Sequence, residues 1–297
     1  MLSRCMARTI SIIGAGRVGS TLGRRLHQLG WRIGAVVTRS AASSRKAVRA
    51  IGAGRPLAHL SREVLAADVV LLATPDAALG SVARSLAQLG GRKCRGKIIL
   101  HTSGALDRGV LAPLARRGAA TGSLHPMQTF SGRATPRLQG VIFAVEGDNR
   151  AQRVAQQIAR ALGGIAVAID GSSKPAYHAA GVLVAGHALA LAEAAVQILT
   201  RIGFSRRRAL QTLLPLMRQM LDNFERLGPQ AAWTGPVARG DYLTVAKHFR
   251  ALRRYPREIQ RAYAALALLG GRVLSKTPAA TLARIERALK NPRGGFS

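Results

Sequence analysis

Ile10-Ser11-Ile12-Ile13-Gly14-Ala15-Gly16-Arg17-Val18-Gly19 is the stretch from which the fold of this chain can be read. Its first four residues have the character of a buried strand that empties into a glycine turn. Val18, Leu22, Leu26 and Leu29 then recur at helical spacing, laying one apolar face along an α-helix. Strand, G-x-G-x-x-G turn and helix in that order form the context in which such glycines hold the diphosphate of a dinucleotide. Gly14 permits the tight turn, Gly16 lets backbone approach the diphosphate, and Gly19 lets the helix settle close to the strand. The diphosphate would rest over Arg17 and Val18, where free N–H groups and the helix dipole favour an anion.

Trp31 to Val37 reads as the next strand. A carboxylate about twenty residues past the glycines would bind the ribose 2′-hydroxyl of NAD. The chain offers Thr38-Arg39-Ser40 instead, with Ser43, Ser44, Arg45 and Lys46 close behind. A cation and hydroxyls suit a 2′-phosphate, so Arg39 and Ser40 favour NADP over NAD.

Further strands are predicted at 67–73, 97–101 and 122–124, the first ending at Thr74-Pro75 and the second running into Ser103-Gly104. Two more, at 141–145 and 165–169, flank a helix. Strands alternating with helices imply βαβ units and a mostly parallel sheet with ligands at the strand C-termini. Past Lys174 the strand signals vanish. A long helix is predicted from Pro175 to about Ile202, apolar all round and therefore expected to be buried, either centrally in a helical domain or in a dimer. Helical patterns follow at 206–226, 243–254, 256–269 and 278–290. The expected architecture is α/β: a Rossmann-type domain over 1–170, then an all-helical substrate and dimerisation domain over 171–297.

With 297 residues, 48% of them hydrophobic, the chain has ample material for a core, and the 4% of aromatics leave packing to aliphatic side chains. The net charge of +32 would ordinarily suggest nucleic acid or an anionic membrane. The charge is spread over both halves, with no basic tail and no aromatic-interleaved stripe, so no specific nucleic-acid partner is expected. Cys5 and Cys94 have neither metal spacing nor a disulfide framework, which suits a reduced cytoplasmic protein without a metal. The stretch at 176–200 approaches membrane length, yet it holds His178, His187 and Glu193 and has no companion, so no membrane span is expected.

Hydride transfer requires a group to move the matching proton and polar groups to orient the substrate. His125 leaves a strand end and is held extended by Pro126, a good place for an acid or base. Lys174 and His178 lie four apart and share a helix face. Ser103 and Gly104 lie at another strand mouth. Arg239, in the loop Trp233–Asp241, could clamp a carboxylate, while Asp241 either steadies that guanidinium or caps the next helix.

Together these segments resemble a bacterial family of NADP-dependent oxidoreductases with a Rossmann-like domain followed by DUF2520, whose match would begin near 120 and end near 255. The resemblance rests on the glycine turn, His101-Thr102-Ser103-Gly104-Ala105-Leu106 and Gly122-Ser123-Leu124-His125-Pro126-Met127-Gln128-Thr129-Phe130. It continues through Phe143–Asp148, Lys174-Pro175-Ala176-Tyr177-His178 and the Thr234–Asp241 loop. The layout is similar to pyrroline-5-carboxylate reductases and β-hydroxyacid dehydrogenases, which implies an all-helical second domain and a homodimer with the site between domains. The His125-Pro126-Met127 string also resembles a prephenate dehydrogenase segment in which the histidine meets the substrate hydroxyl. Where the family tends to carry an Asn-aromatic pair, this chain has Gly186-His187.

These readings converge on hydride transfer to or from a small, anionic hydroxy- or imino-compound. His125, Lys174 and His178 would be catalytic, and Ser103, Gly104 and Arg239 would hold substrate. The rival is a non-catalytic NADP(H) sensor that binds a partner protein through its helices.

Overall fold

A computed structural model of the chain describes residues 8–132 and 136–290 and divides into two compact units, one running to Gly186 and the other starting at His187. The first unit opens with β1 (Thr9–Ile13), α1 (Arg17–Gln28), β2 (Arg32–Val37), α2 (Ala41–Ile51) and β3 (Arg55–Leu57). It continues with β4 (Val69–Leu72), α3 (Asp76–Gly90), β5 (Ile98–His101), α4 (Ala112–Ala115) and β6 (Ala120–Pro126). It closes with β7 (Ile142–Gly147), α5 (Asn149–Ala161), β8 (Ile165–Ala168) and α6 (Lys174–Val182).

The eight strands form one sheet in the order β3-β2-β1-β4-β5-β6-β7-β8. Strands β1 to β6 are parallel, β7 runs antiparallel to β6, and β8 is parallel to β7. The strand order reverses between β1 and β4, and in doubly wound sheets ligands bind in the crevice at such a point. β3 escapes the sequence reading because three residues are too few to show an alternation.

The central strands are buried on both faces, which is why they read as continuous apolar runs. Val69 and Leu71 of β4 join Leu22 and Leu26 of α1 and Val154 and Ile158 of α5 in one core layer. Val70 and Leu72, pointing the other way, join Leu79, Ala83 and Leu86 of α3. The strand ends that carry the site are thus held by two apolar layers.

The second unit is helical: α7 (Ala188–Arg201), α8 (Arg206–Ala232), α9 (Tyr242–Ala251), α10 (Arg257–Val273) and α11 (Pro278–Lys290). A bidentate pair from Arg206 to Glu193, both bonds 2.8 Å, ties α8 to α7. α8 extends past the predicted end and breaks at Gly228 (φ 77°), just before Pro229. The unit's own core is small, built on Val245, Ala246 and Ala288.

Of the two coverings expected for the long helix, the one within the chain is overturned. The long apolar helix begins at Lys174 and is interrupted by a π turn over Leu183–His187. It is also not buried: Leu183, Val184 and Leu189 are 58%, 78% and 71% exposed. Being apolar on every side predicts that something covers a helix, but not that the same chain does so. By length and composition alone, Gly171–Arg201 is apolar enough to cross a membrane.

Candidate active site

The glycine turn lies where the strand order reverses, and its three glycines meet three different surroundings. Gly14 has φ +86°, and a Cβ there would come within 2.6 Å of the Thr74 backbone N at the end of β4. Gly19 would bring its Cβ to 2.7 Å from the Gly14 carbonyl and 3.2 Å from Ile12, so only glycine lets α1 lie this close to β1. Gly16 is the opposite case, since a Cβ there meets no atom within 4 Å. It faces open space at the start of α1, whose N-terminus has no side-chain cap. Beside this turn, the Thr74 hydroxyl is buried without a hydrogen-bond partner among the described residues. An open cradle, free helix N–H groups and an unmet buried hydroxyl fit the diphosphate of a dinucleotide.

At the end of β2, Arg39 is exposed and Ser40 caps α2, accepting the Ser43 N–H at 3.2 Å. The Thr38 N–H donates to Ser44 Oγ at 3.0 Å, which shapes the bend that presents Arg39. Pro75 is the N-cap residue of α3.

A second cluster occupies the ends of β5 and β6. His125 Nδ1 lies 3.0 Å from the Tyr177 hydroxyl, and the His178 ring packs edge-on at 5.7 Å between centroids. Gly104 closes this group, because a Cβ there would stand 2.8 Å from His125 Nε2 and 2.5 Å from His178. Only a residue without a side chain leaves Nε2 room. Burial, with the Lys174 charge second and the neighbouring histidines behind it, lowers the His125 pKa to about 4. Burial raises Tyr177 to about 12, tempered by a backbone hydrogen bond from Ala144. His125 is therefore a neutral imidazole backed by a neutral phenol.

Lys174 is fully buried, and its Nζ donates to the Ser103 carbonyl and to Ser123 Oγ, both at 3.0 Å. Burial lowers its pKa, while the charges of Glu146, Asp107 and Asp76 act in the other direction. Glu146 accepts the Arg108 N–H at 2.8 Å, and its own pKa is raised by burial. Lys174 thus pins the first turn of α6 to β6 and to the turn after β5.

The Ser103 hydroxyl donates to Asp76 Oδ2 at 2.8 Å and accepts the N–H groups of Ala105 and Leu106 at 3.2 and 2.9 Å. One donor and two lone pairs are all that a hydroxyl has. Ser103 is accordingly occupied in shaping its loop, and the substrate contact expected of it has no bonding capacity left. His101, behind it, accepts the Ser103 N–H at Nδ1, so its Nε2–H donates to the Asp107 carbonyl at 3.1 Å. Burial lowers its pKa to about 4 as well, with Lys174 the second cause.

The fold therefore gathers Gly14, Gly16, Arg17, Val18, Gly19, Thr74 and Pro75 around the crevice, and Ser103, Gly104, His125, Lys174 and His178 at the neighbouring strand ends. Arg239 belongs to the second unit, where its N–H donates to the Gly235 carbonyl. Asp241 in the same loop caps α9 through the Thr244 N–H at 3.0 Å. Tyr177 and Glu146 were missed by the sequence reading. An acid between Val145 and Gly147 in an apolar strand was the available signal for Glu146, since unpaired acids are rarely buried. Tyr177 had none.

Fold and site together define an α/β protein with a dinucleotide-type crevice and an appended helical unit. The chain carries a Rossmann-like domain, matched over residues 4–126, and a domain of unknown function, DUF2520, matched over residues 141–269. The second match starts later and ends later than the motifs suggested. Among curated proteins none matches the sequence significantly. Among solved structures, a candidate NADP oxidoreductase of Bacteroides fragilis is 22% identical with a TM-score of 0.72, over 87% of this chain and 96% of that one. A reductive aminase of Aspergillus terreus, solved with NADPH and ethyl-5-oxohexanoate, is 19% identical with a TM-score of 0.64, over 98% and 97%. A 1-pyrroline-5-carboxylate reductase of Streptococcus pyogenes is 16% identical with a TM-score of 0.58, over 95% and 98%. These likenesses establish a shared fold.

Proposed function

We propose that this chain is an NADP-dependent oxidoreductase acting on a small hydroxy- or imino-compound. The observation that carries the proposal is the contrast within the glycine turn, crowded at Gly14 and Gly19 and open at Gly16. Fold relatives described as NADP oxidoreductases, or solved with NADPH, support the same reading. Gly14, Gly16 and Gly19 with the N–H groups of Arg17 and Val18 hold the diphosphate, while Arg39 and the start of α2 receive the 2′-phosphate. When bound, the nicotinamide supplies or accepts the hydride.

The chain's own task is the proton. A histidine whose pKa lies at about 4 is not an imidazolium acid at neutral pH, so His125 acts from its Nε2–H. It donates a hydrogen bond to the oxygen or nitrogen on the reacting carbon and passes that proton as negative charge develops. Tyr177 supplies its hydroxyl proton to Nδ1 in the same motion, and the Ala144 backbone bond steadies the phenolate left behind. His178 packs against His125 and borders the substrate. Lys174, held by Ser103 and Ser123, keeps the cluster in place and the imidazole neutral; Arg239 is the remaining candidate for a substrate anion. A homodimer is supported by the uncovered apolar faces of α7 and α8 beside so small a helical core. The buried free thiol of Cys94 suits a reduced, cytoplasmic setting.

Titration of nucleotide fluorescence tests the cofactor. NADPH is expected to bind at least tenfold more tightly than NADH, and Arg39→Ala is expected to erase the preference; equal affinities for the two would defeat the assignment. Once a turnover assay is in hand, Tyr177→Phe tests the relay. It should lower kcat more than tenfold and change the alkaline limb of the pH–rate profile while NADPH affinity stays put.

A further inference from the structure

The N-terminal edge of the sheet, opposite the glycine turn, carries an open cavity of about 1100 Å³. Six cations line it: Arg8 before β1, Arg32 of β2, Arg95 and Lys97 before β5, and Arg150 and Arg153 of α5. They converge from four separate parts of the chain, so no single helix or charge run accounts for them. Asp68 is the one carboxylate in the lining, and its Oδ2 already accepts the Thr9 N–H at 3.1 Å. Arg8 bonds the neutral amide of Gln157 at 2.7 Å.

Among the described residues, ion pairs join Arg55 to Glu63, Arg108 to Glu146 and Arg206 to Glu193, and none involves the six. Residues 1–7, 133–135 and 291–297 contain no Asp or Glu. Six like charges facing one concavity repel one another and focus a positive potential there until an anion enters. The volume lies just above the usual range of small-ligand pockets, about 300–1,000 Å³.

We infer that this basic cavity is a second binding site, taking a small oligophosphate anion at the sheet edge remote from the dinucleotide crevice. Guanidinium forks from Arg95, Arg150 and Arg153 match phosphate oxygens bidentately, and Lys97 adds a point charge.

Calorimetric titration of the whole protein with sodium tripolyphosphate at 150 mM salt tests the inference, with citrate and a 12-nucleotide DNA strand as comparison ligands. The Arg95→Ala/Arg150→Ala/Arg153→Ala variant is expected to lose at least tenfold in tripolyphosphate affinity. A control of equal charge, Arg253→Ala/Arg254→Ala/Arg257→Ala in the second unit, is expected to stay within twofold, as is Arg39→Ala at the dinucleotide edge. Should the triple variant melt early, Arg150→Ala alone is expected to lose threefold or more. Equal losses in both triple variants would reduce the effect to general cationic attraction. Loss in Arg39→Ala alone would move the binding to the crevice. Citrate binding as tightly as tripolyphosphate would overturn the phosphate assignment. DNA binding more tightly, and failing in the same variant, would make this face a nucleic-acid surface.

Discussion

At His125, the ring nitrogen that a substrate would meet lies against Gly104, where any side chain would collide with it. Gly104→Ala is therefore expected to displace the His125 and His178 rings and to cut turnover at least tenfold with NADPH affinity unchanged; steady-state kinetics beside a binding titration would separate the two. The same surroundings set a pH dependence. His101 and His125 both have pKa values lowered to about 4 from 6.5. Between these limits the unfolded chain binds protons that the native chain refuses, so stability rises with pH across that window. The contribution is whole above pH 6.5 and is lost as pH falls towards 4. Urea unfolding at pH 7.5 and 4.5 is expected to show the lower midpoint in acid, and His125→Gln should shrink the difference. A difference unchanged by that substitution would mean that His125 is not buried in its neutral form.

In the turn between β1 and α1, Gly16 and Gly19, three residues apart, should respond differently to one added methyl group. Gly19→Ala forces a Cβ against the Gly14 carbonyl and is expected to cost about 1–3 kcal/mol of stability. Gly16→Ala meets nothing in the fold and should cost less than about 1 kcal/mol, that of a poorer helix N-cap. It should nonetheless weaken NADPH binding at least tenfold, because its methyl occupies the space left for the diphosphate. Thermal melts with and without NADPH measure both. This element was legible because its chemistry is local: strand, turn and helix lie within twenty consecutive residues, and each glycine answers to a near neighbour. The cluster around Lys174 was legible only in part. Periodicity places Lys174 and His178 on one helix face but is silent on Ser123, 51 residues away, which accepts the Lys174 ammonium. It is equally silent on Tyr177 and His125, 52 residues apart, and on Asp76, which takes the hydroxyl that Ser103 was expected to offer a substrate. Such partners are made by the crossing of strands, and they decide which polar groups remain free for a ligand.

For the molecule as a whole, the sequence marks 179–192 as a segment that water should not touch, and the structure leaves much of it uncovered. In the second unit Leu189, Leu216, Leu221, Phe224 and Leu227 are all more than half exposed. Exposed apolar surface on this scale ordinarily marks an interaction face. Sedimentation equilibrium is expected to find a dimer, and Leu189→Glu with Leu221→Glu should yield monomers. A wild-type monomer at all concentrations would exclude the second copy as the cover. That face sits on a chain with a net charge of +32. Two such copies repel across a distance set by the surrounding ions, about 30 Å in 0.01 M salt and about 8 Å at physiological strength. The attraction between their leucines acts only at contact, behind that barrier. Adding salt should therefore tighten the pairing of copies while loosening their hold on every anion, so that ionic strength pulls assembly and ligand binding in opposite directions.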